Sequence, residues 1–72
     1  MREYLRELRK RAGMTQEEVA KKIGMVESSY CMIEAGERQK DLNLSLVHGF
    51  SKVFGVSTSY IIEEEKKIWD AE

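Results

Sequence analysis

The chain has 72 residues, 42% hydrophobic and 35% charged, with Lys+Arg 12 against Asp+Glu 13 and a formal net charge of −1. A chain of this size buries only about 60% of its unfolded surface, which gives one thin core and excludes the deep cleft between lobes that a large-pocket enzyme needs. Near-neutrality excludes a blanket basic coat for nucleic acid, so any such binding depends on where the charges sit.

In chain order, Gly13, Gly24, Gly36 and Gly55 each close an amphipathic stretch, as left-handed residues do at helix ends. Leu5, Leu8 and Ala12 mark the first predicted helix. Thr15 followed by Gln16-Glu17-Glu18 has capping-box spacing and opens the second, which carries Val19, Ala20 and Ile23. Tyr30 and Ile33 mark a third helix that starts near Glu27. The alternation of Leu42, Leu44 and Leu46 is short and reads as a loop entering a helix. Asn43 caps that fourth helix, whose periodic positions are Leu44, Val47, Phe50, Ser51 and Phe54. Gly49 inside it either marks a close crossing or is simply tolerated, at about 1 kcal/mol relative to alanine. Ser57 caps the fifth helix, about residues 57–70, with Ile61, Ile62, Ile68 and Trp69 on it. The run Glu63-Glu64-Glu65-Lys66-Lys67 reads as the solvated face of that helix, with an i,i+4 pair of Glu63 and Lys67. The predicted fold is all-α, a single domain over residues 1–72 of about five helices.

Cys31 and His48 are the lone cysteine and histidine, which excludes an internal disulfide and a Cys/His zinc cluster. No metal or other cofactor is expected, and stability must come from packed helices or from oligomerisation. The opening MREYLRELRKR is too charged for a signal peptide, and apolar runs fall far short of the ~20 residues that span a bilayer. A cytoplasmic protein that does not contact membranes is expected. His48 reads as a packed or half-exposed helix residue. No Ser/His/Asp set, paired carboxylates or phosphate-cradling glycine loop is present, so the chain is not read as an enzyme.

The informative segment is TQEEVAKKIGMVESSYCMIEAG, Thr15 to Gly36. Two short helices joined by a glycine-centred turn must cross closely. Ala20 supplies the small residue at the crossing, Gly24 the sharp turn, and Val19, Ile23, Tyr30 and Ile33 the apolar contact. This ordered spacing is a helix-turn-helix signature over about residues 15–35.

LRELRKRAGMTQEEVAKKIGMVESSYCMIEAGERQ resembles the opening of a Cro/CI-type (xenobiotic-response-element-like) DNA-binding domain, the group that includes phage repressors and their bacterial relatives. VFGVSTSYII is similar to the ending of that family, so the likeness runs over about residues 3–62. It rests on Arg9, Gly13, Thr15-Gln16, Ala20, Gly24, Ile33-Glu34, Gly36 and Gly55-Val56-Ser57. The resemblance implies a compact five-helix bundle of the phage-repressor type. It makes the third helix the recognition helix, Gln16 a phosphate-gripping amide at a helix start, and Arg9 with Glu34 a pair fixing the first helix to the third. The plain alternatives are a surface pair of little energy and an ordinary helix-start glutamine.

The exposed face of the third helix then carries Glu27, Ser28 and Met32, with Cys31 beside them, and Ser29 is expected with these residues at the DNA. Glu27 either accepts from a cytosine amino group or is a solvated acid favoured by the helix dipole. Cys31 is either an oxidation sensor next to DNA or an incidental small residue. Several positions depart from the family pattern. Val26 replaces the usual Ser or Thr cap, so Ser28 or Ser29 offers itself as cap with a shifted helix start. Ala35 replaces the usual Asn, and the loop from Glu37 to Asn43 is longer than the common form and lacks its proline. Arg38 and Lys40 in that loop are the expected phosphate contacts.

Ile61 and Ile68 are seven residues apart, as are Ile62 and Trp69, giving an apolar stripe. A homodimer is expected, with Ile61, Ile62, Ile68 and Trp69 as its two-fold contact; the alternative is that the stripe folds back on its own core. The expected function is sequence-specific regulation of transcription, as a repressor on a palindromic operator in double-stranded DNA. The rival is an antitoxin or adaptor module with a protein partner, supported by Glu27, Ala35 and the apolar tail. Residues 1–40 hold 9 basic and 7 acidic side chains and residues 41–72 hold 3 and 6, so the charge is polarised toward a positive motif half.

Overall fold

A computed structural model describes residues 1–36 and 42–70, except for the Trp69 side chain. Among the described residues it has five α-helices and no strand: α1 Glu3–Arg11, α2 Gln16–Ile23, α3 Glu27–Ala35, α4 Leu44–Phe54 and α5 Thr58–Asp70. No helix among the described residues is long and apolar enough to cross a membrane.

The caps explain the boundaries. Thr15 and Glu18 form a reciprocal capping box, Thr15 Oγ1 accepting from the Glu18 N–H at 3.1 Å and Glu18 Oε1 accepting from the Thr15 N–H at 2.9 Å. Asn43 Oδ1 accepts from the Leu46 N–H, and Ser57 Oγ from the Tyr60 N–H. The four glycines expected to end helices all have positive φ. Gly49 does not mark a tight crossing. A Cβ there would stand 3.8 Å from Ile23 Cγ2, an ordinary van der Waals distance.

One face of each helix feeds a common core of Tyr4, Leu5, Leu8, Val19, Ala20, Tyr30, Ile33, Leu46, Val47, Phe50 and Ile61. The Phe50 ring meets Tyr30 edge-on and stacks with Phe54, at centroid distances of 6.1 Å each. Two expected apolar positions are not in this core. Ala12 lies past the end of α1 and is exposed, and Leu44 is 83% exposed in the first turn of α4, where Leu46 and Val47 turn inward instead.

The charge run in α5 differs from its sequence reading. Lys66 pairs with Glu63 and Lys67 with Glu64, at spacing i,i+3 rather than i,i+4. Glu65 is not solvated but 3% exposed, because it falls between Ile61 and Ile68 on the inward face. There it meets Arg2, itself 3% exposed, with Nε donating to Oε2 at 2.9 Å, and it also accepts from the Tyr4 hydroxyl. Burial, followed by the bond to Glu65, raises the Tyr4 pKa above its ordinary value.

Candidate nucleic-acid interface

The turn between α2 and α3 is set by Gly24, at φ 92°, with the Gly24 and Met25 N–H groups both donating to the Ala20 carbonyl at 2.9 Å. A left-handed residue here reverses the chain within three residues and lays α3 across α2 over Val19, Ala20 and Tyr30. Helix α3 starts at Glu27, after an extended Val26 that makes no side-chain cap. Neither Ser28 nor Ser29 shifts this start, since backbone bonds from the Ser29 and Tyr30 N–H groups to the Val26 carbonyl already close the first turn.

Behind α3 lies a polar brace. Arg9 reaches from α1 with Nε donating to Glu34 Oε2 at 3.0 Å and Nη2 donating to Oε1 at 3.2 Å, a forked arrangement that fixes direction as well as distance. Its remaining nitrogen donates to the Met14 carbonyl ahead of α2, so one guanidinium ties α1, the α2 entry and α3. The side chains are 14% and 2% exposed, which makes this a buried pair rather than a surface one. Burial alone would raise the Glu34 pKa. The hydrogen bonds from Arg9, with help from Gln16, outweigh it and hold the carboxyl below its ordinary value. The Arg9 pKa is raised in turn, first by its bond to Glu34. The Tyr30 hydroxyl is buried beside this pair, and burial, followed by its interaction with the Glu34 carboxylate, raises its pKa.

Gln16, in the first turn of α2, is half-buried against this brace. Its Nε2 donates to Glu34 Oε1 at 3.2 Å, while its Oε1 accepts from the Cys31 thiol at 3.0 Å. Both ends of the amide are therefore oriented, leaving one Nε2 hydrogen for an outside acceptor. Burial, then the charges of Glu27 and Glu34, raises the Cys31 pKa, so the group stays a neutral thiol, the form least reactive toward oxidants. This favours a packing and donor role for Cys31 over redox sensing.

Glu27 and Ser28 are exposed on α3, and Met32 is 43% exposed beside them. Ser29 is half-buried and lines a different surface, an open cleft of about 450 Å³ shared with Ile23, Met25, Ile33, Asn43, Ser45 and Leu46. The outward face of α3 is therefore Glu27, Ser28 and Met32 flanked by Cys31, narrower than the sequence reading. Arg38 and Lys40 lie outside the described residues. On α5, Ile61 is fully buried, which corrects its reading as an interface residue: it is core. Ile68 packs partly against the same core, Ile62 is 39% exposed, and the Trp69 side chain lies outside the described set. No group of three or more His, Cys, Asp or Glu among the described residues is arranged to hold a metal.

A family model described as Helix-turn-helix matches residues 5–61. Two proteins of Archaeoglobus fulgidus, each described as an uncharacterized HTH-type transcriptional regulator, are similar along nearly their whole length. One is 34% identical over 71 residues, covering 96% of this chain and 97% of the relative. The other is 31% identical over 71 residues, covering 97% of each. No solved structure matches the chain.

Proposed function

The chain belongs to the Cro/CI-type helix-turn-helix family of transcriptional regulators, and we propose that it is a non-enzymatic repressor that reads DNA with α3 in the major groove. The observation that carries this is the brace of Arg9, Glu34 and Gln16. It ties α1 and the start of α2 to α3, and the Gln16 amide is also held by Cys31, which flanks the exposed Glu27, Ser28 and Met32. Gln16, Arg38 and Lys40 contact phosphates in this proposal, and the outward residues of α3 select or exclude bases.

A homodimer places two such helices in successive major grooves about 34–36 Å apart, matching a palindromic operator. Support for pairing through α5 is the exposure of two large apolar side chains on that helix, Tyr60 and Ile62, at 39% each. Blocking a promoter by occupancy then requires no bound ligand.

The test is anisotropy titration against a duplex that the chain enriches from a random library, at several salt concentrations. Arg38→Ala is expected to weaken all sequences alike and lower the salt slope by about 1. Ser28→Ala is expected to change the preference among sequences. Equal effects of both on every duplex would remove the division between positioning and reading. The acidic Glu27 on the outward face supports a second reading, an adaptor or antitoxin subunit, which predicts no salt-dependent DNA binding and capture of the product of an adjacent gene.

A further inference from the structure

The buried cluster of Arg2, Tyr4 and Glu65 lies outside residues 5–61, the segment common to the family. Its reach extends beyond the Arg2–Glu65 pair. Arg2 Nη1 donates to the Ile33 carbonyl at 2.7 Å, and the Arg2 backbone N–H donates to the Glu34 carbonyl at 2.8 Å. Both acceptors belong to the last turn of α3, where carbonyls lack the i+4 partner of the helix interior, although the Ile33 carbonyl also accepts from the Gly36 N–H at 3.1 Å. That turn contains no basic residue of its own, so a guanidinium from outside supplies the positive charge that a helix C-terminus favours. The approach is close: a Cβ on Gly36 would stand 3.2 Å from the Met1 nitrogen. The other side of the guanidinium is fixed by Glu65, through Nε at 2.9 Å and Nη2 at 3.3 Å, with the pair 4% exposed on each side. Two arginines thus hold one end of α3: Arg9 through a side chain, Arg2 through the backbone with its anchor on α5.

We propose that Arg2 is a positioning residue for the recognition helix, a clamp by which Glu65 of α5 sets the pose at which α3 meets DNA. This rests on the DNA-binding reading above. A local glue would serve stability alone. A clamp makes the geometry of α3, and with it sequence discrimination, depend on a bond that leaves the helix for α5.

The two are separated by replacing the cluster with apolar residues of similar volume, Arg2→Met with Tyr4→Phe and Glu65→Leu, a kind of exchange that often preserves or raises stability. Two readouts are taken on the full chain at a temperature where circular dichroism shows it folded. One is amide hydrogen exchange at Glu34, Ala35 and Gly36. The other is the affinity ratio between the library-enriched duplex and a scrambled one. The clamp predicts exchange at these amides about tenfold faster and an affinity ratio about tenfold lower, with scrambled-duplex affinity unchanged. Lost stability alone would lower both affinities together and leave the ratio intact. Wild-type exchange and ratio in the folded triple variant overturn the proposal. If the triple variant does not fold, Arg2→Lys takes its place, because one ammonium cannot bridge Glu65 and the Ile33 carbonyl in the same fork, and the same two outcomes decide. A wild-type chain that enriches no duplex defeats the DNA-binding reading, while the exchange result still decides whether Arg2 holds α3.

Discussion

Arg9→Met separates a buried brace from a surface pair. The substitution keeps most of the side-chain volume and leaves the Glu34 carboxylate, 2% exposed, facing no guanidinium. Removing one partner of a buried ion pair costs about 3–5 kcal/mol, whereas an exposed pair is worth about 0–1 kcal/mol. The lower end applies, because Gln16 Nε2 still donates to Glu34 and Arg9 itself is 14% exposed. At about 3 kcal/mol, the midpoint of a domain this small falls by roughly 12–24 °C. Glu34→Gln is expected to cost less. The amide still accepts from Arg9 through its oxygen, and the guanidinium retains the Met14 carbonyl and some access to water. Urea and thermal unfolding at pH 7, followed by circular dichroism, measure both. An Arg9→Met loss below about 1 kcal/mol, or one no larger than that of Glu34→Gln, refutes the claim that desolvation of Glu34 sets the energetics.

The remaining expectations concern pH, α4 and α5. Because the folded-state pKa of Glu34 lies below its ordinary value of 4.5, the unfolded chain takes up the proton first as pH falls. The stability from Glu34 is present above about pH 4.5 and lost as pH falls through the folded value, so urea midpoints measured from pH 7 to pH 3 should drop in that range and drop less in Glu34→Gln. Gly49→Ala is expected to raise stability by up to about 1 kcal/mol, since the new methyl group meets Ile23 at ordinary contact distance; a lower melting temperature would show a crossing tighter than described. Ile61→Ala should cost about 2–5 kcal/mol as a core truncation. Ile62→Ser should leave the melting temperature nearly unchanged and shift only the oligomeric state seen by light scattering. The reverse pattern would return Ile61 to the interface.

Local signals carried most of the architecture. Thr15 with Glu18, Asn43, Ser57 and the glycines act within a few residues of themselves, so their chemistry is readable without knowing what packs where. The joining of Arg9 to Glu34 across 25 residues was reached through family resemblance rather than periodicity, which is blind to pairing between helices. The contact of Gln16 with Cys31 is invisible to local pattern, because it depends on the crossing of α2 and α3. The Arg2 cluster is hidden for a plainer reason. Glu65 sits in a run of five charges, and composition outweighed position. Its spacing, four residues after Ile61 and three before Ile68, was the available signal that it faces inward. Leu44 erred in the opposite sense, an apolar residue left in water by the first turn of its helix.

The bond between Arg2 and Glu65 spans 63 positions in the chain, while most of the fold is made by helices adjacent in sequence. Helical pairs with local contacts form quickly, but a closure between distant segments must first overcome the entropy of the intervening chain. The helix-turn-helix unit is therefore able to assemble before the two ends meet, and the last turn of α3 becomes fully held only when α5 docks. In kinetic terms, truncating Glu65 should speed unfolding and leave the folding rate nearly unchanged, as for a contact formed after the transition state.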